Sequence, residues 1–308
     1  MSKPKADSCY LCGTPGPLRQ SHIIPKFVFE WAKNRGGGLR DLGTPNVLVQ
    51  DGLKPRLFCN SCEGRLGEWE RQVAGQIFRP VHDGSASPLL YGPWFLKFAV
   101  SVSFRVLALH ATEFSNLLSE PDPRMRNLED VKQLGSPSGA WARFLLDKHS
   151  ILGPYEHHCL LFRPSPATSS VEQRVSAYVE GEINFRPPIR APDGGIYVVS
   201  KMCRLCIIGT VVRGQRGTWQ NTRIAAAGGR ISWPSTVPAW VVNYLGSIMR
   251  VSERSVLSMS PRQLERLLEK GRRLGWDSLN PSDSTARDDS GLTLHAPDGA
   301  RGFTKRRG

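Results

Sequence analysis

Cysteines at positions 9 and 12, and again at 59 and 62, place the strongest constraint on how this chain folds. Two Cys-x-x-Cys pairs offer four thiolates, and each pair suits one side of a tetrahedral ion because a tight turn aims both its sulfurs at one point. Gly13, beside the first pair, gives that turn a residue without a Cβ. The 46 residues between Cys12 and Cys59 must therefore fold back on themselves. A structural Zn²⁺ held by Cys9, Cys12, Cys59 and Cys62 is the expectation. Seven cysteines, four of them in metal-type spacing, suit a reducing compartment better than a disulfide framework.

Length and charge narrow the class further. A chain of 308 residues is long enough for a sizeable core and for about two domains. Forty-one basic against 27 acidic side chains give a net charge of +14. Such an excess favours a polyanionic partner, nucleic acid first among them. Met1-Ser2-Lys3-Pro4-Lys5 leads into the first cysteine pair without an apolar signal core, and Lys97 and Arg105 interrupt the most apolar stretch, Trp94 to His110. The expected location is the cytoplasm.

The pattern along the chain reads as α+β. Residues 1–83, dense in Cys, Gly, Pro and basic side chains, form an N-terminal zinc module. Gly84 to Pro93 reads as a linker, and residues 84–278 as a second domain. There, Phe95, Phe98, Val102, Val106 and Leu109 repeat at helical spacing, and Ala140 to Leu146 starts a further helix after the break Ser136-Pro137-Ser138-Gly139. From 151 to 245 the period shortens. His158–Phe162, Val175–Val179, Ile196–Val199 and Cys206–Val212 are β-rich runs, expected to form an antiparallel sheet. Ser260, Pro261 and Gln263 open a last helix with a capping box, and Leu264, Leu267 and Leu268 give it one apolar stripe. Residues 279–308, rich in Ser, Asp and Gly with a basic end, read as a disordered tail. Cys203 and Cys206 lie in strand-like flanks and read as small buried side chains rather than half of a second metal site.

A knuckle, an intervening hairpin and a second cysteine pair opening a helix is the plan of a treble-clef zinc module. Within that bracket, Ser21-His22-Ile23-Ile24-Pro25, Asn46 and Cys59-Asn60-Ser61-Cys62-Glu63 resemble the zinc-bound HNH (ββα-metal) endonucleases. The resemblance covers about residues 9–70. It implies His22 as the general base that activates water, Asn46 as a catalytic residue of the hairpin loop, and Glu63 as a ligand of a catalytic Mg²⁺ or Mn²⁺. Hard oxygen donors suit those ions, and an imidazole with a pKa near ambient pH suits the base. Asp51 is a further acid of the hairpin. Arg19, Lys26, Lys54, Arg56 and Arg65 surround the motif and could grip phosphates. The implied partner is nucleic acid, DNA in the first place, and the implied setting is bacterial defence or a mobile element. Ser21 departs from the family, which carries a metal-binding acid or histidine there, and Glu63 replaces its usual His or Asn. Those departures carry the alternative, a zinc-dependent nucleic-acid-binding protein without catalysis.

Overall fold

The computed structural model describes residues 8–34, 39–40, 45–84, 89–117, 128–162, 181–215, 217–231 and 235–273. The expected strand Val175–Val179, the glycine loop 36–38 and the tail 279–308 lie outside them. The described chain is α+β: helices and antiparallel sheet, with a four-cysteine cluster near the N-terminus.

The N-terminal part contains β1 (Arg19–Gln20), α1 (Lys26–Asn34), β2 (Leu39–Arg40), β3 (Leu48–Val49) and β4 (Arg56–Phe58). β1 pairs antiparallel with β4, and β2 with β3. Cys59 is the N-cap of α2 (Asn60–Val73), which runs through a π-helical turn, Ala74–Phe78, into α3 (Arg79–Asp83). Gly84 ends the run at φ +71°, a left-handed conformation that favours glycine at a helix C-terminus.

The rest is built around α4 (Trp94–Leu117). Every residue from Phe98 to His110 is buried, which requires a helix apolar on all sides rather than along one stripe. Against α4 pack α2, α5 (Leu128–Leu145) and the main sheet, which α5 also touches. That sheet comprises β6 (His157–Leu161), β7 (Ile183–Phe185), β8 (Ile189–Arg190), β9 (Ile196–Met202) and β10 (Leu205–Val212). Its order is β6-β10-β9-β7, with β8 also on β9, and all pairings are antiparallel. β9 and β10 are buried on both faces. Val198, Met202, Leu205 and Ile207 meet the α4 core, whereas Tyr197, Val199, Cys206 and Ile208 pack under Trp240, Val241 and Leu245 of α6 (Ala239–Leu257). The last helix, α7, spans Pro261–Arg273.

Three expectations change. Residues 239–245 are helix, not part of the β region: Val241, Leu245, Ile248 and Ser252 recur at helical spacing to cover the sheet's second face. The break at Ser136–Gly139 is absent, because α5 runs through Pro137. The backbone bond that proline removes is offset by Trp141, Phe144 and Leu145 buried beyond it. The stretch read as a linker contains β5 (Leu89–Tyr91), paired antiparallel with β11 (Gly229–Ile231). Leu89 and Tyr91 face inward there, so one apolar cluster continues from Cys9 through Phe58, Phe78 and Phe98 to Ile207 across the expected boundary at residue 84. His82 reinforces it: Nδ1 lies 2.6 Å from the Phe78 carbonyl and Nε2 accepts the Arg204 N–H at 3.1 Å, so the ring ties α3 to the β9–β10 turn. No helix among the described residues is long and apolar enough to cross a membrane.

Candidate functional site

The four N-terminal cysteines converge as their spacing requires. Their sulfurs all lie within 4.8 Å of one another, and Cys12 Sγ is 3.8 Å from Cys59 Sγ. Tetrahedral zinc with Zn–S bonds of about 2.3 Å sets sulfurs about 3.8 Å apart, so the donor set fits Zn²⁺ in number, type and separation. The first knuckle closes by backbone bonds, Gly13 N–H to the Cys9 carbonyl at 2.8 Å and Cys9 N–H to the Thr14 carbonyl at 3.0 Å, with Gly13 at φ +77°. Tyr10 N–H donates to the Leu57 carbonyl at 3.0 Å and so lays the first pair against the second. Cys59 and Cys62 sit at the start of α2, where the helix dipole favours thiolate.

The thiols by themselves are poorly matched. Burial, followed by the neighbouring sulfurs, pushes Cys62 far above the usual thiol range, and burial raises Cys9. Burial also opposes ionisation of Cys12, but hydrogen bonds from Thr14 and the adjoining cysteines bring it to about 6. A dication resolves the mismatch by stabilising all four thiolates together. Among the described residues this is the one cluster of three or more His, Cys, Asp or Glu donors. Cys203 instead occupies the β9–β10 turn at φ +55°, and Cys159 and Cys206 are buried in the sheet.

His22 lies in the segment pinned by Ser21 N–H to the Pro55 carbonyl (2.8 Å) and Ile23 N–H to the Leu53 carbonyl (3.1 Å). These bonds bring Asp51 to the imidazole, with Nε2 3.0 Å from Oδ2. The contact is an ion-pair approach off the axis of an ideal hydrogen bond, since Nε2 makes no aligned one. Burial works against the charge on Asp51. It is outweighed by His22, the Gly52 N–H at 2.9 Å and Lys54 Nζ at 3.2 Å, which hold the carboxyl at about 2. Asp51 thus stays ionised and faces a half-buried imidazole. In sequence Asp51 is simply a further acid between the cysteine pairs; the Asp-Gly pair at 51–52 is the local signal for the turn that returns it to His22.

The other assigned residues distribute differently. Ser21 is fully buried and its hydroxyl donates to Glu63 Oε1 at 2.5 Å, so the two departures from the family pattern meet each other. Asn46 Oδ1 accepts the Ser260 N–H at 2.9 Å, which engages it at the start of α7. Arg65 is bound to Asp147 at 2.6 Å and reaches the Leu145 carbonyl at the end of α5. Lys26 pairs with Glu30 at 2.9 Å, Arg19 donates to Asn60 Oδ1 at 3.2 Å, and Arg56 to the Leu18 carbonyl at 3.2 Å. Lys26, Lys54, Arg19 and Arg56 remain exposed. Comparison with family models gives no match to this chain, and comparisons with curated proteins and solved structures give none either.

Proposed function

We propose that the chain is a zinc-stabilised nucleic-acid hydrolase of HNH-like design, in which a treble-clef module built on Cys9, Cys12, Cys59 and Cys62 presents His22 to a phosphodiester. The observation that carries this reading is the His22–Asp51 pair, because an imidazole held against an ionised carboxylate can take a proton and be stabilised while it carries it. His22 accepts a proton from water, the water oxygen bonds to phosphorus, and the P–O3′ bond breaks to leave a 5′-phosphate and a 3′-oxyanion that takes a proton from solvent. Exposed Arg19, Lys26, Lys54 and Arg56, with the net charge of +14, favour DNA or RNA as the substrate. Glu63 is one carboxylate, so Mg²⁺ or Mn²⁺ would be held there jointly with waters and substrate phosphates, as Mg²⁺ sites commonly are. Bound there, the ion would neutralise charge on the phosphate and leaving oxygen.

The Ser21–Glu63 hydrogen bond favours a second reading, because it engages the one carboxylate assigned to the cation. In that reading the same face binds nucleic acid without cutting it. Cleavage of supercoiled plasmid by zinc-loaded protein with Mg²⁺, Mn²⁺ or EDTA, run beside His22→Ala, separates the two. Metal-dependent nicking that His22→Ala abolishes is the expected result. Salt-sensitive binding, equal in both proteins and without nicking, would replace the hydrolase with the binding module.

A further inference from the structure

The segment that delivers Asp51 to His22 also carries half of the exposed large aliphatic side chains among the described residues. Eight large hydrophobic side chains among the described residues are exposed, and four fall in the seven-residue run from Val47 to Leu53. Val47 is 56%, Leu48 60% and Leu53 50% exposed, with Val49 at 36%. This exposure does not come from a slack loop. Arg40 donates to the Pro45 carbonyl at 2.8 Å and Asn46 accepts from Ser260 N–H. Lys33 Nζ reaches the Gln50 carbonyl at 3.1 Å, Gly52 packs on the Phe29 ring, and Leu53 accepts from Ile23 N–H. The backbone is fixed on both sides while the aliphatic side chains point into water, an arrangement that marks a contact surface rather than a packing defect.

The surroundings select the partner. Exposed Lys54 and Arg56 follow the run directly, and exposed Lys26 and Arg19 belong to the segments that flank it. An aliphatic tip rimmed by cations complements a partner that is polyanionic outside and apolar within, which describes stacked bases between phosphate strands. We propose that the 47–53 segment is a wedge: when duplex nucleic acid seats on these cations, Val47 and Leu48 insert between base pairs. The inference rests on the nucleic-acid reading of this face. Apolar side chains inserted at a base step unstack it and kink the duplex. Asp51 lies in the same rigid run, so the distorted step is the one presented to His22.

The test uses full-length zinc-loaded His22→Ala protein, which leaves the substrate intact, and short duplexes carrying 2-aminopurine at successive positions. Insertion unstacks the probe and its emission rises at one or two neighbouring steps. Adding Val47→Ser and Leu48→Ser, at exposed positions, should abolish the rise and weaken binding about tenfold, equivalent to ~1.4 kcal/mol. The salt dependence should stay unchanged because the phosphate contacts remain. Zinc content and melting temperature equal to the parent's certify the variant's fold. Tight binding without any emission change overturns the wedge and leaves the nucleic-acid reading standing. A variant that unstacks bases as well as its parent does the same. A parent that self-associates through this segment, and becomes monomeric on substitution with DNA binding unchanged, assigns the patch to a second copy. A parent that binds neither duplex nor single strand overturns the inference and the functional reading together.

Discussion

Replacing Gly52 with alanine tests the packing that holds Asp51 against His22. A Cβ at this position would stand 2.1 Å from Phe29 Cζ, 2.5 Å from Cε2 and 2.9 Å from Cε1. Real carbon contacts do not come that close, so the ring or the 51–53 backbone must move. Phe29 is buried, and its ring centroid lies 6.2 Å from that of His22, so a displaced ring disturbs the surroundings of the candidate base. Overpacking of this kind costs about 1–3 kcal/mol. For a chain of this size each kcal/mol lowers the melting temperature by about 2–4 °C. Gly52→Ala should therefore melt several degrees below the parent, and if the hydrolase reading holds it should also cleave more slowly. The control is Phe29→Leu, which removes the ring atoms the new Cβ would strike. Alone it leaves a cavity and destabilises; combined with Gly52→Ala, the two changes should cost at least about 1 kcal/mol less than their sum. Zinc-loaded protein in denaturant titrations gives all four stabilities. Gly52→Ala within about 0.5 kcal/mol of the parent, the range of an ordinary surface change, would refute the argument. Strict additivity in the cycle would refute it equally.

Removing the metal should be the most damaging single perturbation. Structural zinc contributes about 10–16 kcal/mol of binding energy to small modules, as large as the usual 5–15 kcal/mol stability of a whole domain. Chelation or Cys62→Ser should thus abolish zinc content by colorimetric assay and cooperative melting of the N-terminal part by circular dichroism. Acid should destabilise the sheet. Burial first of all, with positive charge of His158 on His157 and of Arg223 on His158, holds both histidines at about 3, below their ordinary 6.5. The unfolded chain then binds more protons, so stability present above about pH 6.5 is lost as the pH falls toward 3, by up to about 1.4 kcal/mol per unit for each ring. His158→Gln, which keeps a partner for the Thr222 hydroxyl, should flatten that slope in melts taken across the range. Glu70→Gln should cost about 3–5 kcal/mol. It leaves Arg105, 2% exposed, without the carboxylate that meets its Nη2 at 2.5 Å. Glu70→Gln with Arg105→Met should be more stable than Glu70→Gln alone in denaturant titrations, because no uncompensated charge then stays buried.

Local chemistry was legible from sequence wherever neighbours in the chain act together. Cysteine spacing announced the cluster, since a Cys-x-x-Cys turn fixes its own two sulfurs, and two such turns need only one closure to meet. The β-rich runs 158–162, 196–199 and 206–212 became strands because their residues are apolar on both faces and stop at turn formers. The helix at 261 began where Ser260 and Pro261 announced it. What sequence could not weigh was compensation from distant residues. Pro137 signalled a break, but the aromatic face of α5 buried against α4 outweighed one lost hydrogen bond. Leu89–Tyr91 sat in a stretch of Gly, Ser and Pro, and only its partner 140 positions later made it a strand.

The candidate site divides the same way. Residue types alone determined that Cys9, Cys12, Cys59 and Cys62 could hold zinc and that His22 stood inside their bracket, because donor chemistry and short spacing are properties of the chain. Tertiary structure decided what His22 and Glu63 face. The β1–β4 pairing and the close seat of Gly52 on Phe29 carry Asp51 to the imidazole, and burial drives the Ser21 hydroxyl onto Glu63. It also engaged Arg65 at the end of α5 and Asn46 at the start of α7, contacts with residues 80 and more positions away. Those pairings depend on which polar groups lose water together, and water is excluded by the assembled core rather than by any single segment of sequence.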